Sequence, residues 1–206
     1  MIFPEPLEPA ILLRRYKRFL ADVRLENGSE ITVHCPNSGS MLGCGEPGLE
    51  VMISRAANPA RKYPQTLEMV KVGATWVGVN TALTNRLVRE ALERGLFPEL
   101  GEITAIRPEV KVGSSRLDFR LEAGGQPTWL EVKNCSLVTG ATALFPDAVT
   151  ERGTRHLREL LALRRSGQAA AIIFCVQRED ADCFTPARDI DPLYAATLAE
   201  VVAEGV

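Results

Sequence analysis

Ser115-Arg116-Leu117-Asp118-Phe119-Arg120, followed by Gly124-Gly125-Gln126-Pro127 and then Trp129-Leu130-Glu131-Val132-Lys133-Asn134, decides how this chain is read. Apolar and polar residues alternate on both sides of a Gly-Gly-Gln-Pro turn, which is the pattern of an antiparallel β-hairpin. With those four residues as the loop, Arg120 faces Glu131 and Asp118 faces Lys133. Opposed residues share a face, so Asp118, Arg120, Glu131 and Lys133 line one side of the ribbon. Leu117, Phe119, Leu121, Leu130 and Val132 line the other, which is the core side. A slip of one residue would separate the two acids.

Written D-x12-E-x-K, the polar face suits divalent-metal phosphodiester hydrolysis. Hard oxygen ligands from Asp118 and Glu131 hold Mg²⁺ or Mn²⁺ and leave coordination sites for water and phosphate oxygens. The cation lowers the pKa of its water and stabilises charge on the phosphate. The Lys133 ammonium orients that water or neutralises the reacting centre. A solvated cross-strand ion pair has the same sequence signature, so the rest of the chain must decide.

The chain has 206 residues, enough for one large or two small cores. Its 46% hydrophobic and 24% charged content is that of a folded globular protein. No apolar run reaches membrane-spanning length, and the N-terminus does not read as a signal peptide. Five scattered cysteines without a C-x-x-C favour a reduced, cytoplasmic protein. His34, Cys35 and Cys44 lack a fourth ligand at zinc spacing. The net charge of −2 does not advertise nucleic-acid binding, but Arg14 to Arg24 carries +4 and Glu151 to Arg165 carries +3. Two basic patches on an acidic body can steer a polyanion to one surface.

Residues 1–80 read as an all-β domain. Strands are expected from Arg15 to Leu25, Ile31 to His34, Leu49 to Ile53, Gln65 to Val70 and Thr75 to Val79, with a turn at Glu26-Asn27-Gly28. Five short strands with Gly and Pro punctuation fit an OB-fold-like barrel. The run Arg14-Arg15-Tyr16-Lys17-Arg18 interleaves cations with an aromatic, as a nucleic-acid groove requires. Core packing of Tyr16 or Phe19 explains the same residues.

Residues 81–206 read differently. Leu83 to Leu92 is helical, with Glu90 at the edge of its apolar arc and Gly95 as its stop. Ile103 to Val112 is a strand, and the hairpin follows. A helix runs through Leu157 to Leu163 behind an Asp147 cap, with Arg152, Arg155, His156 and Arg158 on its polar face. Ala169 to Val176 reads as a central strand buried on both faces. Asp191-Pro192 opens the last helix. The order is α-β-β-β-α-β-α.

That order, with D-x12-E-x-K on its second and third strands, resembles the PD-(D/E)xK restriction-endonuclease-like αβββαβ fold. Leu117 stands where the motif's Pro is usual. His34-Cys35-Pro36-Asn37-Ser38-Gly39, Val77-Gly78-Val79-Asn80-Thr81, Ser115-Arg116-Leu117-Asp118-Phe119, Glu131-Val132-Lys133 and Phe145-Pro146-Asp147-Ala148, with Thr150, Arg152-Gly153 and His156-Leu157, resemble the sugar fermentation stimulation protein A (SfsA) family. The resemblance implies a two-domain α/β protein, OB-fold first and nuclease-like domain second, in a family described as DNA-binding.

By position it makes Asp118 and Glu131 metal ligands for Mg²⁺ or Mn²⁺, completed by the Val132 carbonyl, and Lys133 the water-orienting group. Glu90 resembles the extra helix acid of some such nucleases. Arg152 and His156 would face the scissile phosphate, and Arg116 is expected as a further nucleic-acid contact. The expected function is a DNA-binding, metal-dependent nuclease. The alternative is a non-cleaving, largely nonspecific DNA-binding regulator of sugar-metabolism genes, although no helix-turn-helix pattern is visible. A sugar-binding module has only the family name in its favour. Oligomeric state is open, a homodimer being one option.

Overall fold

A computed structural model of the chain describes residues 2–56, 58, 60–113 and 115–206. Its contacts form two units. The first contains the residues up to Leu83 together with Cys135–Asp147 and Val176–Thr185; the second contains Thr84–Asn134, Ala148–Cys175 and Pro186–Val206. The expected boundary at residue 80 thus falls near the first crossing, but two later segments pack with the first unit.

The first unit is built on β1 (Glu8–Tyr16), β2 (Leu20–Leu25), β3 (Glu30–His34), β4 (Glu50–Arg55), β5 (Gln65–Val72) and β6 (Thr75–Gly78). Hydrogen bonding runs β3-β2-β1-β4-β5-β6, and a parallel pairing of His34 with Thr66 joins β3 to β5. That pairing closes five strands into an OB barrel. Leu12, Ala21, Val23, Val33, Val51, Ile53, Leu67, Val70 and Val77 are buried in this unit, by period-2 alternation except in β5, where Thr66, Leu67 and Glu68 are buried in succession. Each aliphatic side chain of this size contributes about 1.5–3 kcal/mol when buried.

The run from Arg15 to Leu25 is not one strand. Lys17 and Arg18 take left-handed φ values of 52° and 63°, and Tyr16 pairs with Leu20 across the resulting turn. Left-handed backbone costs a residue with a Cβ about 1–2 kcal/mol, so composition gives no sign of a turn here. Arg15 stabilises it by donating to the Arg18 carbonyl at 3.2 Å.

The second unit holds α1 (Thr84–Glu93), β7 (Ile103–Val112), β8 (Ser115–Ala123), β9 (Gln126–Cys135), α2 (Glu151–Arg165), β12 (Ala169–Val176) and α3 (Pro192–Ala203). The expected helix-strand order is present. Between these elements, β10 (Leu137–Thr139), β11 (Thr142–Phe145) and β13 (Cys183–Pro186) form a three-stranded sheet that the sequence did not announce.

The second unit's sheet runs β12-β9-β8-β7. On one side Val88 and Leu92 of α1 pack with Phe119, Leu121, Leu130 and Val132; on the other, Leu160 and Leu163 of α2 pack with Ala170. Helix α1 ends as expected at Gly95 (φ 66°), with Leu96 N–H donating to the Ala91 carbonyl and Gly95 N–H to that of Leu92. Asp191 caps α3 by accepting Tyr194 N–H at 2.9 Å, and its other oxygen accepts Thr150 N–H at 2.8 Å.

Three expectations are corrected. The cap of α2 is Thr150, whose hydroxyl accepts Gly153 N–H at 3.1 Å, whereas Asp147 accepts Met41 N–H at 2.8 Å in the first unit. Strand β12 lies at the sheet edge, not its centre. It is apolar because both faces are covered, Ala171, Ile173 and Cys175 on the α1 side and Ala170 and Ile172 on the α2 side. Finally, the β8–β9 loop is Gly124-Gly125 alone, with φ of 57° and 81°, so Arg120 faces Trp129 and not Glu131. The register is shifted by two residues, which changes neighbours but preserves faces.

Leu117 also departs from strict alternation. It packs with Leu160 and Leu163, not with the α1 cluster that holds Phe119. The β7 pairing passes from Pro108↔Phe119 to Val110↔Leu117, with Glu109 at φ 54° between them. The twist at that point turns the distal end of the β7–β8 hairpin toward α2. It also sets Asp118 at the pivot.

Candidate active site

Asp118 stands where the β8–β9 ladder stops, one residue beyond the Phe119↔Leu130 pair. Its Oδ2 accepts the Val132 backbone N–H at 2.7 Å, in place of a ladder carbonyl. Its Oδ1 accepts Nδ2–H of Asn85, in the first turn of α1, at 2.7 Å. Burial and the neighbouring Glu131 charge push the Asp118 carboxyl above its ordinary range, and the two hydrogen bonds and Lys133 only partly offset them.

Glu131, on β9, has a side chain only 4% exposed. Burial alone would raise its carboxyl. The His156 hydrogen bond and the Lys133 ammonium outweigh that and hold it below the usual range. Both act on one oxygen: Lys133 Nζ lies 2.5 Å from Oε1, and His156 Nδ1 bonds the same atom. Arg152 Nε–H donates to His156 Nε2 at 3.4 Å. A guanidinium only donates, so Nε2 is the acceptor and Nδ1 carries the proton given to Glu131. The other oxygen, Glu131 Oε2, is buried with no hydrogen-bond partner. A buried, bare carboxylate oxygen is costly.

These groups fit a hard divalent cation. Among the described residues no cluster of three or more His, Cys, Asp and Glu side chains forms a metal cage. Mg²⁺ does not need one, since it commonly uses one or two carboxylates and keeps several waters. Glu131 Oε2 and Asp118 supply two such carboxylates.

Beside them opens a cavity of about 380 Å³ lined by Lys111, Ser115, Arg116, Arg152, Arg155 and His156. Arg152, Arg155 and His156 share one face of α2 through i,i+3 and i,i+4 spacing. Lys111 and Arg116 are cross-strand partners at the turned end of the β7–β8 hairpin.

The structure therefore brings Asp118, Glu131, Lys133, His156, Arg152 and Arg116 into one neighbourhood. Glu90 stands apart from that set as a half-exposed residue 3.5 Å from Arg94. On α1 the side chain bonded to Asp118 is Asn85, which sits about 140° around the helix from Glu90. Asn85 was missed because an amide in the first turn of a helix is ordinary there and carries no sequence signal of another use. Lys111, Ser115 and Arg155 were missed as lining residues because only the curl of the hairpin brings them together.

The basic run of the first unit divides by role. Arg15 is turned inward and donates to the carbonyls of Asn37 at 2.6 Å, Gly39 at 2.7 Å and Ser40 at 3.2 Å. Arg14 pairs with Asp22 at 2.7 Å and lies over the Tyr16 ring, whose hydroxyl also bonds Asp22. Lys17 and Arg18 are exposed on the turn next to Phe19, itself 50% exposed. Among the described residues no helix is long and apolar enough to cross a membrane.

Known proteins place the chain. Residues 13–79 match the family model described as the SfsA N-terminal OB domain, and residues 82–206 match the sugar fermentation stimulation protein RE domain. A sugar fermentation stimulation protein homolog from Geobacter sulfurreducens is 53% identical over 100% of this chain and 89% of its own length. One from Pelobacter propionicus is 54% identical over 98% of this chain and 88% of its own. The solved structure of Pyrococcus furiosus SfsA in complex with Ca²⁺ superposes with a TM-score of 0.93 at 30% identity, covering 100% of this chain and 87% of that one. On its sequence, both matched domains and its fold, this chain belongs to the sugar fermentation stimulation protein (SfsA) family.

Proposed function

We propose that this chain is a divalent-metal-dependent nuclease of the PD-(D/E)xK type that binds DNA and hydrolyses its phosphodiester bonds. The observation that carries the reading is the buried, unpartnered Oε2 of Glu131 beside Asp118, a carboxylate edge prepared for a cation. The relative from Pyrococcus furiosus, solved in complex with Ca²⁺, supports an oxygen-ligated cation in this family.

Asp118 and Glu131, with the Val132 carbonyl, would hold Mg²⁺ or Mn²⁺. A cation held there would supply a coordinated water of lowered pKa and stabilisation of negative charge on the phosphate. Lys133, ion-paired with Glu131, would direct its ammonium protons at the attacking water or the phosphate oxygens. His156 does not touch substrate through Nδ1; it holds Glu131 Oε1 so that Oε2 remains presented. Arg152 and Arg116 contact phosphate beside the acid pair, and the exposed Lys17 and Arg18 of the barrel unit add sequence-independent contacts.

Labelled single- and double-stranded DNA incubated with Mg²⁺, Mn²⁺ or EDTA tests this, with Asp118→Ala and Lys133→Ala beside the wild type and binding measured on the same samples. The expected result is metal-dependent cutting by wild type alone, with a loss of about 10²–10³-fold in the lysine variant and binding retained. Binding without cutting on every substrate and metal would overturn the nuclease reading and leave a non-cleaving DNA binder.

A further inference from the structure

We propose that the basic cavity is a receptor for the terminal phosphomonoester of a nucleic-acid strand, so that this protein works from strand ends. The binding stands on the cavity itself; the consequence for cleavage rests on the nuclease reading above.

Lys111, Arg116, Arg152 and Arg155 line one concavity with Ser115 and His156, and no carboxylate shares the wall. Like charges directly opposed across a hairpin repel, and Lys111 faces Arg116. Arg152 and Arg155 repeat the repulsion at i,i+3. Neutralisation is slight. Among the described residues Arg116 pairs only with Glu109, at 3.7 Å, with both side chains more than half exposed. Among the described residues Lys111 and Arg155 have no acidic partner. A receptor of this kind matches an anion brought from outside.

The shape selects the anion. Cations reading an internal backbone lie in file along a groove and meet one charge per phosphate. Here two elements converge on a single hollow. An internal diester offers one charge on two free oxygens, whereas a terminal monoester offers a charge of about −1.5 to −2 on three. Ser115 supplies an independent sign: its Oγ is buried with no hydrogen-bond partner in the wall of this cavity. The hydroxyl is ready to donate to a third phosphate oxygen. His156 belongs both to the wall and to the Glu131 contact, so a bound end lies next to the acid pair and the bond attacked is close to that end.

The test uses the full chain and one labelled oligonucleotide sequence in three forms, 5′-phosphorylated, 3′-phosphorylated and unphosphorylated. Fluorescence anisotropy in EDTA is expected to show one phosphorylated form binding about tenfold tighter than the unphosphorylated one. The gap should close in Lys111→Ala and in Arg155→Ala, both surface changes whose folding is checked by thermal melting. Equal affinity for the three forms, or an equal loss for all three in the variants, would overturn the proposal. A covalently closed circle with Mg²⁺ separates the two readings. If the circle is cut as fast as the phosphorylated linear strand, end recognition fails and the nuclease stands. If the end preference is present and nothing is cut, the receptor stands and the nuclease reading fails.

Discussion

The Asp118 carboxylate occupies the position of a strand carbonyl, receiving the Val132 backbone N–H at 2.7 Å at the last rung of the β8–β9 pairing. One group therefore closes the ladder and presents an acid. Its burial and the Glu131 charge raise its folded pKa above the ordinary 3.8. For a raised carboxyl, the favourable contribution is complete below the unfolded pKa and is lost as pH rises through the folded value.

Asp118→Asn should accordingly melt at a higher temperature than wild type at neutral pH while losing metal-dependent activity. The amide keeps an oxygen for Val132, and a flip of Asn85 restores their mutual bond. Melting curves from pH 3 to 8 check this: the advantage should shrink toward zero as pH falls below about 4. An equal or lower melting temperature at neutral pH would show that the carboxylate is not strained by its surroundings.

Glu131→Gln should act in the opposite sense. Removing the charge leaves the Lys133 ammonium, 13% exposed, without its partner, at a cost of about 3 kcal/mol. Because Glu131 is held below its ordinary 4.5, its contribution is present above that value and is lost as pH falls through the folded pKa. Urea unfolding at several pH values should show the gap between variant and wild type closing only in acid.

Arg15→Ala should destabilise without changing the electrostatics of DNA binding. Its guanidinium serves the carbonyls of Arg18, Asn37, Gly39 and Ser40; the bonds to Asn37 and Gly39 are part-buried, and leaving their acceptors unmet costs about 1–3 kcal/mol. The double change Lys17→Ala with Arg18→Ala should leave the melting temperature nearly unaltered. It should reduce the slope of log affinity against log salt on single strands by about 1.4, the share of two phosphate contacts. Titrations at four salt concentrations distinguish the two.

Asp191→Ala removes the acceptor of both Tyr194 N–H and Thr150 N–H. Loss of a cap costs about 0.5–2 kcal/mol, and two helix starts are affected. Hydrogen exchange should rise in the first turns of α2 and α3 together, including the turn that carries Arg152.

The sequence made the acid pair legible because faces alternate with period 2 and the two-residue register error left parity intact. Alternation on both sides of Gly-Gly-Gln-Pro does not tell how many of the four residues are loop: Gln126-Pro127 opens β9, where a missing donor is tolerated near a strand start. The barrel could be read from its alternation, but its first hairpin could not, since Lys17 and Arg18 turn the chain without Gly or Asn. Residue type also fails to distinguish an arginine that meets phosphate from one that meets carbonyls, as Arg15 shows. The basic side of the site was illegible for a different reason: Lys111 and Ser115 reach it only through the reversal of packing at Asp118.

The interleaving of the two units sets an order of events during synthesis. Strands β1 to β6 of the barrel unit have been made by Gly78, but the carboxylate of Asp147 that receives Met41 N–H, and the Gln177 carbonyl that receives Gly78 N–H at 2.9 Å, are translated only after the acid-bearing hairpin. The unit that emerges first is therefore completed by residues that emerge late. No single cut in the gene separates the two units with the contacts of each intact.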